Sequence, residues 1–272
     1  MEAGAGPLPR TRTVAYLYGI TRGDQGAPRV RGAAIETVRS PRLAALVELV
    51  DAGEHTPERI ERRLESAPDL AILARKHETV LEAALALGPV IPARLCTLYR
   101  GVPAVRAHLC ANQDRYLGML AGLVGRREWG LKMYCDGARL RATSTQPRSA
   151  PRPPAAARSG HDYLLGKRRE ARRAAVAAAR LDEAAEQVLA AIEPLATGLR
   201  VKPLLPSDLT GRSETMALNL AALVADRACP ALHRVVAALA GRLACEGFAF
   251  ELSGPWPAYS FCDGALAARE AS

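Results

Sequence analysis

The sequence predicts an α+β fold in two domains, and three observations carry that prediction. From Glu128 onward the elements run strand, helix, strand, strand, helix, strand, the split βαβ order of a ferredoxin-like domain. The first half mixes short β-rich runs with amphipathic helices, in the order strand, strand, helices, strand, helix. The length of 272 residues suits one or two domains, and 49% hydrophobic against 24% charged residues is ordinary globular composition. The expected domains are 1–125, α+β, and 126–272, ferredoxin-like, with a boundary near Gly125. A Pro/Arg-rich loop over 143–159 is inserted after the first strand of the second domain, and an extended tail covers 253–272.

The elements follow from local pattern. VAYLYGI at 14–20 is a strand ended by Gly19 and the turn TRGDQGAP, and 30–38 is a second strand. Residues 43–50 read as a short helix. Thr56 caps the next helix, with Pro57 at its first position. From Asp69 to Leu87 a stripe of Leu70, Leu73, His77, Val80, Leu81, Ala84 and Leu85 marks one helix face, and Gly88-Pro89 stops it. VIPARL at 90–95 is a short strand whose Pro92 calls for an edge or a strand end. Residues 103–123 read as one helix.

In the second half, Trp129, Leu131, Met133 and Cys135 alternate with polar neighbours, as in a half-buried strand. A break follows. Residues 143–159 lack large apolar side chains and read as a mobile loop. A long helix runs from about Asp162 to Ile192, basic first and then carrying Leu181, Ala185, Val188, Leu189 and Ile192 as a stripe. Strands at 199–205 and 216–224, a helix at 230–246 and a strand at 248–252 complete the domain.

The net charge is +9, and it is concentrated. Residues 126–180 hold 14 basic and 4 acidic residues, a local +10, so the remainder of the chain sums to 9 − 10 = −1. Such a patch attracts acidic partners, or is a solvated helix face and loop. Lys167, Arg168, Arg169, Arg172 and Arg173 form its densest part, opened by Tyr163. No apolar run approaches the roughly 18 residues that span a bilayer, and the first residues lack the apolar stretch of a signal peptide, which predicts a cytoplasmic protein.

Catalytic and cofactor signatures are missing. No GxGxxG, GxxxxGK[ST], HExxH or GxSxG occurs, and no two of the six cysteines lie closer than 14 residues. No cofactor or metal is expected. His77-Glu78 is the pair that most suggests acid–base chemistry, but His77 lies on the apolar stripe, where a satisfied core histidine is the simpler reading, and in His161-Asp162 the aspartate is explained by capping at a helix start. A nucleic-acid reading of the basic patch competes. A recognition sheet would need aromatics on its strands to stack bases, and 199–205 and 216–224 carry none. The tail SGPWPAYSF is unusual: Pro255 and Pro257 stiffen the backbone around Trp256, with Tyr259 and Phe261 beyond. It either presents an aromatic anchor to a partner or folds back over its own core.

Several of these segments resemble, in order, the gas vesicle protein L/F family. YLYGI at 16–20 resembles its opening strand, and HETVLEAAL at 77–85 followed by PVIPARLCTLY at 89–99 its helix-then-strand segment. EWGLKMYCD at 128–136, GHDYLLGKR at 160–168, NLAALV at 219–224 and SGPWPAYSF at 253–261 resemble later family segments. Leu95-Cys96 departs from the family's usual Phe-Gly, and the tail ends Phe261-Cys262. The resemblance implies a non-enzymatic cytoplasmic accessory protein of gas vesicle formation. Its partners would be the very hydrophobic shell protein, whose apolar face aggregates in water, or other vesicle accessory proteins. Trp256, Pro255, Pro257, Tyr259, Phe261, Trp129, Tyr163 and the basic run 167–173 are the candidate contact residues.

Overall fold

A computed structural model describes residues 13–143 and 160–262, with side chains from residue 167 onward in the long helix. The chain divides into two compact units, Met1–Arg126 with Trp256–Ser272, and Arg127–Pro255. Trp256–Cys262 therefore group with the first unit, whereas the sequence reading kept them with the second domain.

In the first unit the strands are β1 (Thr13–Arg22), β2 (Glu36–Arg39), β3 (Leu43–Asp51), β4 (Val90–Pro92) and β5 (Leu98–Tyr99). The sheet order is β2-β3-β1-β4, with β5 also on β1, and β1 pairs antiparallel with each of β3, β4 and β5. Helices α1 (Pro57–Glu65), α2 (Ala67–Leu87), α3 (Val102–Ala111) and α4 (Gln113–Leu123) complete the unit. Thr56 does cap α1, its hydroxyl accepting from the Arg59 amide, a contact of about 1 kcal/mol. Tyr16 and Tyr18 of β1 pack with Val80, Leu81 and Ala84 of α2. Ala15 and Leu17, at alternate positions, are fully buried, and α3 and α4 also contact β1.

Three expectations change here, and one short strand is added. Residues 43–50 form β3 rather than a helix: Leu43 through Val47 are all buried between β1 and β2, so neither a period of two nor of 3.6 shows in the sequence. The strand over 30–38 shrinks to β2 because Gly32, at φ 79°, turns the chain, leaving only a Val30–Ala33 bridge before it. The helix over 103–123 breaks at Asn112 (φ −118°, ψ 16°), whose side-chain amide donates to the His108 carbonyl at 2.9 Å. The two-residue β5 went unseen. The edge role read from Pro92 holds: β4 is the last strand on its side and ends at that proline.

In the second unit β6 (Arg126–Cys135), β7 (Ala196–Val201), β8 (Thr215–Ala225) and β9 (Phe248–Trp256) form a sheet of order β7-β8-β6-β9. Trp129, Leu131, Met133 and Cys135 of β6 enter one core with Leu218, Leu220, Ala222 and Val224 of β8. Helices α6 (Gly160–Ile192) and α8 (Cys229–Leu243) cover it with Ala184, Val188, Ile192, Leu232, Val236, Leu239 and Leu243. The helix read over 230–246 closes as α8 at Leu243 and a 3-10 turn to Glu246. Short helices α5 (Gly137–Thr143) and α7 (Ser207–Thr210) complete the unit. α5 occupies what read as a break. The loop expected over 143–159 lies, past Thr143, outside the described residues. The strand over 199–205 instead spans 196–201, because Pro203 has no N–H for the ladder. Arg180 of α6 grips Glu246 with two hydrogen bonds, 2.5 and 2.7 Å, holding that carboxyl below its usual range. Among the described residues no helix is long and apolar enough to cross a membrane.

Candidate functional site

The stripe of α2 delivers His77 to the sheet one turn before Val80 and Leu81. Its Nε2 lies 3.0 Å from the Ala93 carbonyl, which can only accept, so Nε2 carries the proton. Its Nδ1, 3.0 Å from the Tyr16 hydroxyl, is then the acceptor. Tyr16 in turn accepts from the Cys96 amide at 3.0 Å. His77 is 2% exposed, and burial pulls its pKa down from 6.5 to about 4. It is a neutral, fully partnered core histidine, as its place on the stripe suggested. Beside it the Tyr18 hydroxyl donates to Glu48 at 2.7 Å, and Lys76 reaches the same carboxylate at 2.8 Å. Burial raises both tyrosines well above their ordinary value. Sequence reasoning does not single out Tyr16, Tyr18, Glu48 or Lys76; two tyrosines at alternate positions of one strand are a signal that could have found the first two.

This chain of bonds fixes the turn between β4 and β5. Cys96 there adopts φ 61°, the left-handed region that glycine favours. Cys96 is thus a strained non-glycine in this turn, where the Thr97 carbonyl accepts from the Leu17 amide at 2.8 Å. Cys96→Gly is expected to stabilise the first unit by about 1 kcal/mol, the left-handed cost less the lost thiol packing. A higher urea midpoint checks it; an unchanged or lower one rules the strain out.

The tail residues divide. Pro255 and Trp256 are exposed at the end of β9, Trp256 by 37%. Pro257, Ala258 and Cys262 are buried, and Tyr259 packs on the first unit's core. The Tyr259 hydroxyl donates to Glu78 at 2.9 Å, and burial raises that carboxyl's pKa. Phe261 is half-buried. Much of the motif therefore folds back over its own core, leaving Pro255 and Trp256 outward.

The other contact candidates lie in the second unit. Lys167, Arg168, Arg169, Arg172 and Arg173 are all exposed on the first half of α6, Lys167 facing Glu170 at 3.8 Å. The side chain of Tyr163 lies outside the described residues. Trp129 leaves the surface candidates: it is 8% exposed in the core, edge-on to His233 at 4.8 Å. Tyr134, which points out of that core, is itself covered. The Arg212 guanidinium lies 4.3 Å from its ring, and its hydroxyl donates to Glu251 at 3.3 Å. An inner strand thus offers no open aromatic face for stacking a base.

The chain is similar to known proteins along nearly its whole length. It is 31% identical over 257 residues to "Gas vesicle protein L" of Streptomyces sp. (strain CB03234), covering 92% of this chain and 93% of that protein. Its fold resembles the crystal structure of the gas vesicle protein GvpF from Anabaena sp. PCC7120, with TM-score 0.67 at 16% identity over 92% of this chain and 96% of that one. The crystal structure of GvpF from Microcystis aeruginosa gives TM-score 0.64 at 16% identity over 93% and 99% of the two chains. The family model described as "Gas vesicle synthesis protein GvpL/GvpF" matches residues 14–263, and the chain belongs to that family.

Proposed function

We propose that this chain is an accessory factor of gas vesicle formation that works by binding vesicle proteins and not by catalysis. The observation that carries the reading is the family match from residue 14 to 263. The second unit reads as a ferredoxin-like domain, since βαββαβ order and a β7-β8-β6-β9 sheet suit that topology. Its exposed basic run, Lys167 to Arg173, steers acidic accessory partners, and the outward Trp256 supplies an aromatic anchor for the apolar shell subunit.

The test is co-purification of the tagged chain with the shell subunit and other vesicle proteins from nuclease-treated lysate. Capture is expected to survive nuclease and moderate salt, and to fall about tenfold in Trp256→Ala or on charge reversal of 167–173. Capture of nucleic acid alone, lost as salt rises, overturns the reading. Unchanged binding and vesicle yield in both variants overturns the assigned contact residues.

A further inference from the structure

The first unit carries a groove on the side of α2 that faces away from His77. Val30 and Arg31 form one wall, and Ala71, Ile72, Arg75, Lys76 and Thr79 the other, around a volume of about 380 Å³. Ala71, Arg75 and Thr79 are spaced four apart, so the groove follows the helix for about 12 Å. Ile72 lies at its edge, 65% exposed, an unusual position for a large aliphatic side chain. The lining includes three cations and no carboxylate. Lys76 is committed to Glu48, but Arg31 and Arg75 have no ion-pair partner among the described residues.

We propose that this groove docks a short acidic segment of a partner protein. One apolar side chain of that segment packs on Ile72 and Val30, and flanking carboxylates pair with Arg31 and Arg75. Charge selects the occupant. A purely apolar segment leaves two guanidiniums unmatched, and a purely acidic one leaves Ile72 in water. Two arginines on a partly apolar floor suit carboxylates, because the fork of each guanidinium takes a carboxylate in two parallel bonds. The inference goes beyond the assembly reading and stands whether or not the partner is a vesicle protein.

Fluorescence anisotropy on the full chain tests it, with three labelled synthetic helical peptides of one length. One has a Leu stripe flanked by Glu, one the same stripe flanked by Lys, and one Glu with Gln in place of Leu. The Leu/Glu peptide is expected to bind at least about tenfold more tightly than either other. Ile72→Ser and Arg75→Glu, both on exposed side chains, are each expected to weaken it about tenfold. Arg234→Glu, exposed on α8, is expected to leave it unchanged. Equal binding of all three peptides overturns the proposal, as does loss on Arg234→Glu but not on Arg75→Glu. So does full competition by a labelled single-stranded DNA, which would make the groove a plain anion surface. Failure to co-purify vesicle proteins would leave this binding result intact, so the two readings fail separately.

Discussion

Replacing His77 by alanine is expected to cost the first unit on the order of 3–5 kcal/mol. The change opens a cavity under α2, and it leaves the Tyr16 hydroxyl and the Ala93 carbonyl without their buried partner. The same side chain governs acid stability. Its folded pKa, about 4, lies below the unfolded 6.5, so the unfolded chain binds the proton first. The stability it confers is complete above pH 6.5 and is lost as pH falls toward 4, roughly 3 kcal/mol in all. Tyr16 and Tyr18, the rings against it, stay neutral throughout that window. Glu78, the next residue, works in the opposite direction: its raised pKa penalises folding at neutral pH, and acid relieves that penalty. Hydrogen exchange of the β1 amides against pH should show the slope. His77→Gln, which keeps a donor and an acceptor without titrating, should flatten it. A flat wild-type profile between pH 7 and 4, or an equal slope in His77→Gln, would sink the assignment.

Gly19→Val is expected to cost about 3 kcal/mol, at the upper end of overpacking effects. Gly19 sits where β1 shifts register against β3 and pairs with Pro92 of β4. A Cβ built there would lie 2.8 Å from the Ile91 carbonyl oxygen, 2.8 Å from Val90 Cγ2 and 3.1 Å from Leu81 Cδ2. The first obstacle is backbone, which cannot rotate away as a side chain can. The small residue in YLYGI is thus needed for the close approach of β4 and α2 to β1. Urea unfolding of Gly19→Ala and Gly19→Val should give losses that increase with side-chain size. Adding Val90→Ala should restore only a minor part of the loss, because Ile91 remains. Complete rescue by Val90→Ala would show that the side chain, and not the backbone, sets the limit.

Much of this was legible locally. The Thr56-Pro57 cap, the α2 stripe and the β6 alternation each place one side of a single element against apolar neighbours, and such periods are visible without knowing the neighbour. So was the inward place of His77. β3 was not, because a strand buried on both faces has no period to read. The break at Asn112 was not, because it depends on one side chain competing with the helix backbone for a carbonyl. The candidate surfaces were mixed in the same way. The basic run of α6 is exposed as charge alone required, whereas Trp129 entered the core on a strand whose alternation had already pointed it there.

The sequence by itself determined the family, the α+β class, the order of elements in the second half and the concentration of charge in 126–180, since each depends on residues close in the chain or on ordered motifs. Only the tertiary structure decided which residues meet across long separations. Tyr16, His77 and Cys96 share one hydrogen-bonded chain, Tyr259 reaches Glu78, and Val30 and Arg31 face Ile72 and Arg75 across a groove. The physical reason is that hydrogen bonding, desolvation and surface complementarity act over a few ångströms in space, and the separation of two residues along a chain does not specify that distance.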